Sequence, residues 1–215
     1  MKPKDYQQTI NTWDSLAALY EAKFMDLDLY NESYDHFCEF ITANTANTAN
    51  VLEIGCGPGN ITKYILSKKP SWQWLGTDVS ENMVKHAQKN NPQARFQVLD
   101  ARNINEVQNK FHGIVCGFCI PFLSEIDVAL FIHNCAKLLN PSGVLYLSFV
   151  SDQEGTSGYK QGSTGNSVYF NYHSHSTITN LLIKAGFKLI KQYKIAYPTS
   201  QTETENHTVI LAQLG

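Results

Sequence analysis

Glycine occupies three alternate positions, Gly55, Gly57 and Gly59, in "VLEIGCGPGN", directly behind an apolar run. Without Cβ atoms the chain there can approach a ligand with bare backbone and adopt angles closed to other residues. Acidic side chains recur at the ends of the next apolar segments: Asp78 in "WLGTDVS", 19 residues past Gly59, and Asp100 in "QVLDARN". A carboxylate at Asp78 can accept hydrogen bonds from both hydroxyls of a ribose and repels a 2′-phosphate. A second at Asp100 can accept from the amino group of adenine. The chemistry suited to this set is the binding of an adenosine that lacks a 2′-phosphate.

Two cofactors contain such an adenosine. The dinucleotide fingerprint is G-x-G-x-x-G, with a pyrophosphate on the following helix N-terminus. Here the spacing is G-x-G-x-G, and Asn60 stands where the last glycine of that fingerprint belongs. With Glu53 inside the first run, two or three carboxylates suit a cation better than a pyrophosphate. S-adenosylmethionine, with its positive sulfonium, is the better candidate; NAD in an oxidoreductase is the rival.

These residues need a frame to hold them. From Val51 onward short apolar runs alternate with helical segments: "NVLEIG", "WQWLGTD", "ARFQVLD", "GIVCGF" and "GVLYLSFV" read as strands, and "NITKYILSKK", "SENMVKHAQKN" and "DVALFIHNCAKLLN" as helices. Strands separated by helices imply parallel pairing through right-handed crossovers, hence a doubly wound α/β sheet. "TITNLLIKAG" is a helix stopped at Gly186, and "FKLIKQYKIAY" and "HTVILAQL" are strands joined too closely for a crossover, so antiparallel neighbours. The glycine-rich "SDQEGTSGYKQGSTGNS" reads as a mobile loop. Ahead of the sheet, "YQQTINTWDSLAALYEAKF" carries Ile10, Trp13, Leu16, Ala17, Tyr20 and Phe24 on one side of a helix, and "NESYDHFCEFITA" is a second helix. The "TANTANTAN" run, 42–50, reads as helix end and linker. The organisation expected is a helical cap over 1–50 and one ligand-binding domain over 51–215.

Composition narrows the classes. The 17 basic and 19 acidic residues are spread along the chain, with no block to track phosphates, so nucleic acid is not expected as a partner. No run approaches the ~20 apolar residues of a membrane helix, and the start lacks an apolar signal core, so a soluble cytoplasmic protein is expected. The five cysteines, Cys38, Cys56, Cys116, Cys119 and Cys135, sit mostly in apolar segments and read as reduced core thiols with no metal.

On these motifs the chain resembles the class I S-adenosylmethionine-dependent methyltransferases. "VLEIGCGPGNIT" resembles that family's first motif, "GTDVSENMVKHAQ" its ribose-binding strand and following helix, "LDA" its adenine-contacting turn, and "LLNPSGVLYLSF" and "LLIKAGFKLI" its fifth and sixth strand regions. The resemblance implies a Rossmann-like sheet of seven strands with the last antiparallel. It implies that Gly55, Cys56 and Gly57 line the methionine part while Glu53 steadies the loop, and that Asp78 holds the ribose. Val79 and Met83 then pack on the adenine, Asp100 and Ala101 meet its edge, and Gly117 and Phe118 close the pocket. A core role on an amphipathic helix accounts for Val79 and Met83 equally well, and a helix-start charge with Ser80 as cap is the other reading of Asp78. The family's acidic residue near the start of the fourth strand is His112 here, at the end of that strand away from the pocket.

Transfer of a methyl group is an in-line displacement, for which alignment and a dry site matter more than a dedicated base. "CIPFLS", "SDQEGTSGYKQGSTGNSVYFNYHSH" and "PTSQTETENH" follow strands on the ligand side and are expected around the methyl, with a small molecule as acceptor. Tyr20 resembles the tyrosine that many such enzymes place over the cofactor. His173 and His175 are the candidate bases, His173 first, with His207 behind them. A protein that binds the cofactor without catalysis stays open, as no single catalytic residue defines the family.

Overall fold

A computed structural model describes residues 1–43, 45, 48–151, 155–162 and 165–215. Part of the "TANTANTAN" run and residues 152–154 and 163–164 of the polar loop lie outside the described residues. The helices are α1 (Pro3–Ser15), α2 (Ala17–Phe24), α3 (Asn31–Thr42), α4 (Asn60–Lys68), α5 (Glu81–Asn90), α6 (Glu125–Leu138) and α7 (His175–Lys184). The strands are β1 (Asn50–Ile54), β2 (Gln73–Asp78), β3 (Arg95–Val98), β4 (Phe111–Gly117), β5 (Leu139–Val150), β6 (Gly158–Gln161), β7 (Ser167–Phe170), β8 (Phe187–Pro198) and β9 (Thr204–Leu214).

Seven strands form one sheet in the order β3-β2-β1-β4-β5-β9-β8. β1 to β5 pair in parallel, and β9 runs antiparallel to both β5 and β8. The expected doubly wound sheet with an antiparallel last strand is the fold of this chain. Alternate side chains leave each strand on opposite faces. Leu52, Ile54, Ile114, Cys116, Leu145 and Leu147 pack with α6 and α7 through Phe131, Ile132, Ile178 and Leu182. Val51, Val115, Val144, Tyr146 and Leu211 face α3 and α4 through Phe37, Ile41 and Ile65.

The α3 face is closely packed at Gly113, where an added Cβ would lie 2.4 Å from Ile41 Cδ1 and 2.6 Å from Phe37 Cζ. Both neighbours are fully buried and have little room to retreat. Gly113→Ala is therefore expected to cost about 1–3 kcal/mol of stability, read as a lowered denaturant midpoint with an unchanged slope.

Two parts differ from the sequence reading. The first long helical pattern is two helices, broken at Leu16, whose N–H is shared between the carbonyls of Thr12 and Trp13. Side-chain bonds on either side of the break tie the pair to α5. Asp14 accepts from Ser80 Oγ at 2.7 Å and Asn82 N at 3.0 Å, and Glu21 contacts His86 at 2.8 Å and Asn90 at 2.6 Å. The polar segment read as a loop also contains structure, the hairpin β6–β7, with Tyr159 opposite Tyr169. It is held on α1, because Ser167 O accepts from Thr12 Oγ1 at 2.9 Å and Tyr169 N–H donates to Thr9 Oγ1 at 3.0 Å. The glycines hid a strand pair whose β-branched and aromatic residues find a surface only in the tertiary fold.

Candidate active site

The strand order reverses between β1 and β4, and ligands of such sheets bind outside the carboxyl ends of the strands at that point. Gly55, Gly57 and Gly59 have φ of +69°, +51° and +84°, all in the left-handed region. Their duties differ. At Gly59, which precedes α4, an added Cβ would meet Asn91 Nδ2 at 2.4 Å, so this glycine serves packing. Gly55 and Gly57 line a cavity.

That cavity gathers Tyr20, Gly55, Gly57, Asp78, Val79, Met83, Asp100, Ala101, Gly117 and Phe118, the greater part of the set expected from sequence. Asp78 sits at its wall with one carboxylate oxygen accepting from Gly57 N and the other from Ser80 N, both at 2.9 Å. The carboxylate thus fixes the glycine loop and keeps lone pairs for a ligand. Burial holds its pKa above the ordinary value, against the lowering effect of those N–H groups. Ser80 does cap α5, through Met83 N–H, so the helix-start role and the pocket role of Asp78 coexist.

Other expected residues are placed differently. Glu53 lines neither this cavity nor its neighbour; it is buried beneath the loop, where one oxygen accepts from Trp74 Nε1 at 3.0 Å and from Thr62 Oγ1. Its other oxygen is buried with no partner among the described residues. Burial pushes its pKa up to about 7, and the two hydrogen bonds only partly offset this. Asp100 is paired with Arg102 through the guanidinium at 2.5–3.1 Å, and that group lies 4.0 Å over the Tyr6 ring. The sequence reading set two or three carboxylates against a cation; among the described residues that line this cavity, Asp78 is the carboxylate without a cationic partner.

The state of Glu53 has a measurable consequence. Its folded pKa lies above the unfolded value near 4.5, so the folded protein binds more protons in between. The stabilising protonation is present below 4.5 and is lost as pH rises through about 7. Thermal melts of the ligand-free protein should fall across that window, and Glu53→Gln should flatten the fall.

A second cavity of about 330 Å³ adjoins the first. The two share Trp13, Tyr20, Gly55, Gly57, Gly117, Phe118 and Phe122 as a common wall. Phe118 carries φ of +54°, unusual for an aromatic residue, and its N–H donates to Ser148 O and Oγ. Cys56 faces this second side, as do Tyr30, Tyr197, Glu205 and His207. His173 lines neither cavity. It is buried, with Nε2 3.0 Å from Ile120 O, and burial lowers its pKa against backbone hydrogen bonds with Ile120 and Leu123. It therefore braces the turn after β4, and its expected place as the base is corrected: the histidine at the cavity is His207. His175 is bonded to Gln192 at 2.6 Å on the surface.

Trp13, Ile10, Thr9 and Tyr6 of α1 roof the first cavity; the sequence reading expected a helical cap but gave none of these four residues a place in the site. Ile10 and Trp13 were visible only as an apolar helix face, and such a face does not say whether it meets a sheet or a ligand. Among the described residues no group of metal-ligating side chains gathers, and no helix is long and apolar enough to cross a membrane.

Comparison with known proteins decides the family. Residues 51–143 match the model of a methyltransferase domain. Residues 51–143 of this chain are a methyltransferase domain, on the fold shared by S-adenosylmethionine-dependent methyltransferases. A trans-aconitate 2-methyltransferase of Escherichia coli is 34% identical over 99 residues, covering 46% of this chain and 38% of that protein. An S-adenosylmethionine-dependent methyltransferase of Clostridium acetobutylicum superposes with a TM-score of 0.69 at 16% identity, covering 94% of this chain and 99% of that one. The DhpI–SAH complex gives 0.71 at 14% identity, covering 100% and 99%. The matched stretch spans less than half the length of the curated relatives. The methyltransferase domain's cofactor is S-adenosylmethionine. A glycine cradle that side chains would fill and a half-buried carboxylate with spare lone pairs fit it.

Proposed function

We propose that this chain transfers the methyl group of S-adenosylmethionine to a small-molecule acceptor by in-line displacement. The supporting observation is that two cavities meet at one wall, built from the loops after β1 and β4 and from α1 and α2. Asp78 would accept from the ribose, Val79 and Met83 would pack on the adenine, and Asp100 with Ala101 would meet its edge. Gly55 and Gly57 would admit the methionine portion, with Tyr20, Gly117 and Phe118 around it and Cys56 behind. Trp13 Nε1, buried without a partner among the described residues, offers a donor at the shared wall. The bound cofactor supplies an electrophilic methyl on a positive sulfur. The chain's part is alignment and exclusion of water, and the aromatic cap tied to α5 serves both.

A second cavity of about 330 Å³ lies at the small end of the range for small-molecule sites. The Escherichia coli relative's name gives a carboxylic acid as its acceptor, but its match covers less than half of this chain. Incubation with methyl-labelled S-adenosylmethionine and a panel of small nucleophiles, beside tRNA and duplex DNA, tests the proposal. Label is expected in a small molecule; label in nucleic acid alone would overturn it.

A further inference from the structure

The second cavity contains a chain of three polar groups in a wall that is otherwise largely aromatic. Glu205 and His207 lie two apart on β9 and so share a face. His207 Nε2 is 3.1 Å from Glu205 Oε2, and its Nδ1 is 2.6 Å from the Tyr30 hydroxyl. A carboxylate only accepts, so Nε2 carries the proton and Nδ1 accepts from Tyr30 O–H. His207 stacks on Tyr197 at 4.8 Å and 10°, and Phe118 of the shared wall lies 4.6 Å away. Tyr30, Tyr34, Phe118, Phe122, Phe170 and Tyr197 all face this cavity, with Lys23 as its lysine.

We infer that the acceptor is a planar aromatic alcohol, a phenol, whose hydroxyl proton leaves through a Tyr30–His207–Glu205 relay. This rests on the methyl-transfer reading above. A phenol is mostly un-ionised at neutral pH and is a poor nucleophile in that form, which gives a base something to do. In the step, the acceptor proton passes to the Tyr30 oxygen as the Tyr30 proton passes to His207 Nδ1. The acceptor oxygen forms its bond to the methyl carbon, the carbon–sulfur bond breaks, and its electron pair neutralises the sulfonium. The resulting imidazolium is held by Glu205, which acts through His207 and is a positioning residue. Tyr30 is kept un-ionised by burial, as a relay requires. The ionisable groups facing the relay are Glu205 on β9, Tyr197 on β8, Tyr146 on β5, Tyr20 and Lys23 on α2, Tyr34 on α3, and Cys56 in the loop after β1.

The test uses the full chain, saturating S-adenosylmethionine, and one-, two- and three-ring hydroxyarenes, each beside the thiol of the same skeleton. The wild type should methylate at least one phenol on oxygen. For that phenol His207→Asn should lower kcat by about 10²–10⁴-fold, with a similar direction for Tyr30→Phe. The matching thiol, more acidic and in need of no base, should change by only a few-fold. Glu205→Gln, which can still accept from His207 Nε2–H but carries no charge to hold an imidazolium, should lower the phenol rate while leaving the thiol rate within a few-fold. Equal losses on phenol and thiol would overturn the relay, and S-adenosylhomocysteine binding with no phenol methylated would overturn the acceptor class. Failure to bind S-adenosylhomocysteine at all would strike the methyl-transfer reading itself.

Discussion

Asp78→Ala should weaken S-adenosylhomocysteine binding by at least about a hundredfold while leaving a cooperatively folded protein. On the proposed reading the carboxylate would accept from two ribose hydroxyls, and hydrogen bonds to a charged group are worth about 1.5–3 kcal/mol each. It also accepts from Gly57 N at 2.9 Å, so its loss frees the loop on which the cofactor would lie. The same residue should make binding pH-dependent. Burial holds its folded pKa above the ordinary aspartate value, so the protonated form, a poorer acceptor, accumulates at a higher pH than usual. Affinity should therefore be full in the ionised range and fall as pH drops through that raised value. Asp78→Asn should be weak throughout and nearly flat with pH. Calorimetric titrations at several pH values check both points, and a variant that binds like the wild type would remove Asp78 from the site.

Gly55→Val should also abolish binding, by a different route. The native φ of +69° is strained for any residue with a Cβ, at about 1–2 kcal/mol. The new Cβ would lie 2.8 Å from Cys119 Cβ, and Cys119 begins the turn after β4 that forms the opposite wall. Either the loop or the turn must move, and the cavity lies between them. Gly162→Ala is the control, since its nearest neighbour would be 3.8 Å away. Circular dichroism should show both variants folded, with binding lost only in the first. Binding retained in Gly55→Val would mean the glycine loop does not touch the cofactor.

These predictions draw on what was legible from sequence, and the reasons are physical. Strand alternation and helix periodicity are local, so the sheet and its antiparallel end followed from spacing. The glycine loop and Asp78 are local too, because a left-handed turn after a strand and a carboxylate at the next strand's end need no distant partner to be read. The pairing of Asp100 with Arg102 lies only two residues along the chain, yet it depends on the guanidinium folding back over the Tyr6 ring. The acceptor side was the least legible. His207, Glu205 and Tyr30 come together only when β9 inserts between β5 and β8 and α3 covers that face, whereas "YFNYHSH" offered its histidines more openly. Both are buried, and their surroundings separate them: His173 Nε2 is used up on the Ile120 carbonyl, whereas His207 lines a cavity.

Calorimetric titration of the full chain with S-adenosylhomocysteine, beside a titration with NAD, tests the central claim most directly. Saturable binding of S-adenosylhomocysteine at one site per chain, with no heat from NAD, is the expected result. Heat from NAD with none from S-adenosylhomocysteine would contradict the account and return the glycine loop to a pyrophosphate.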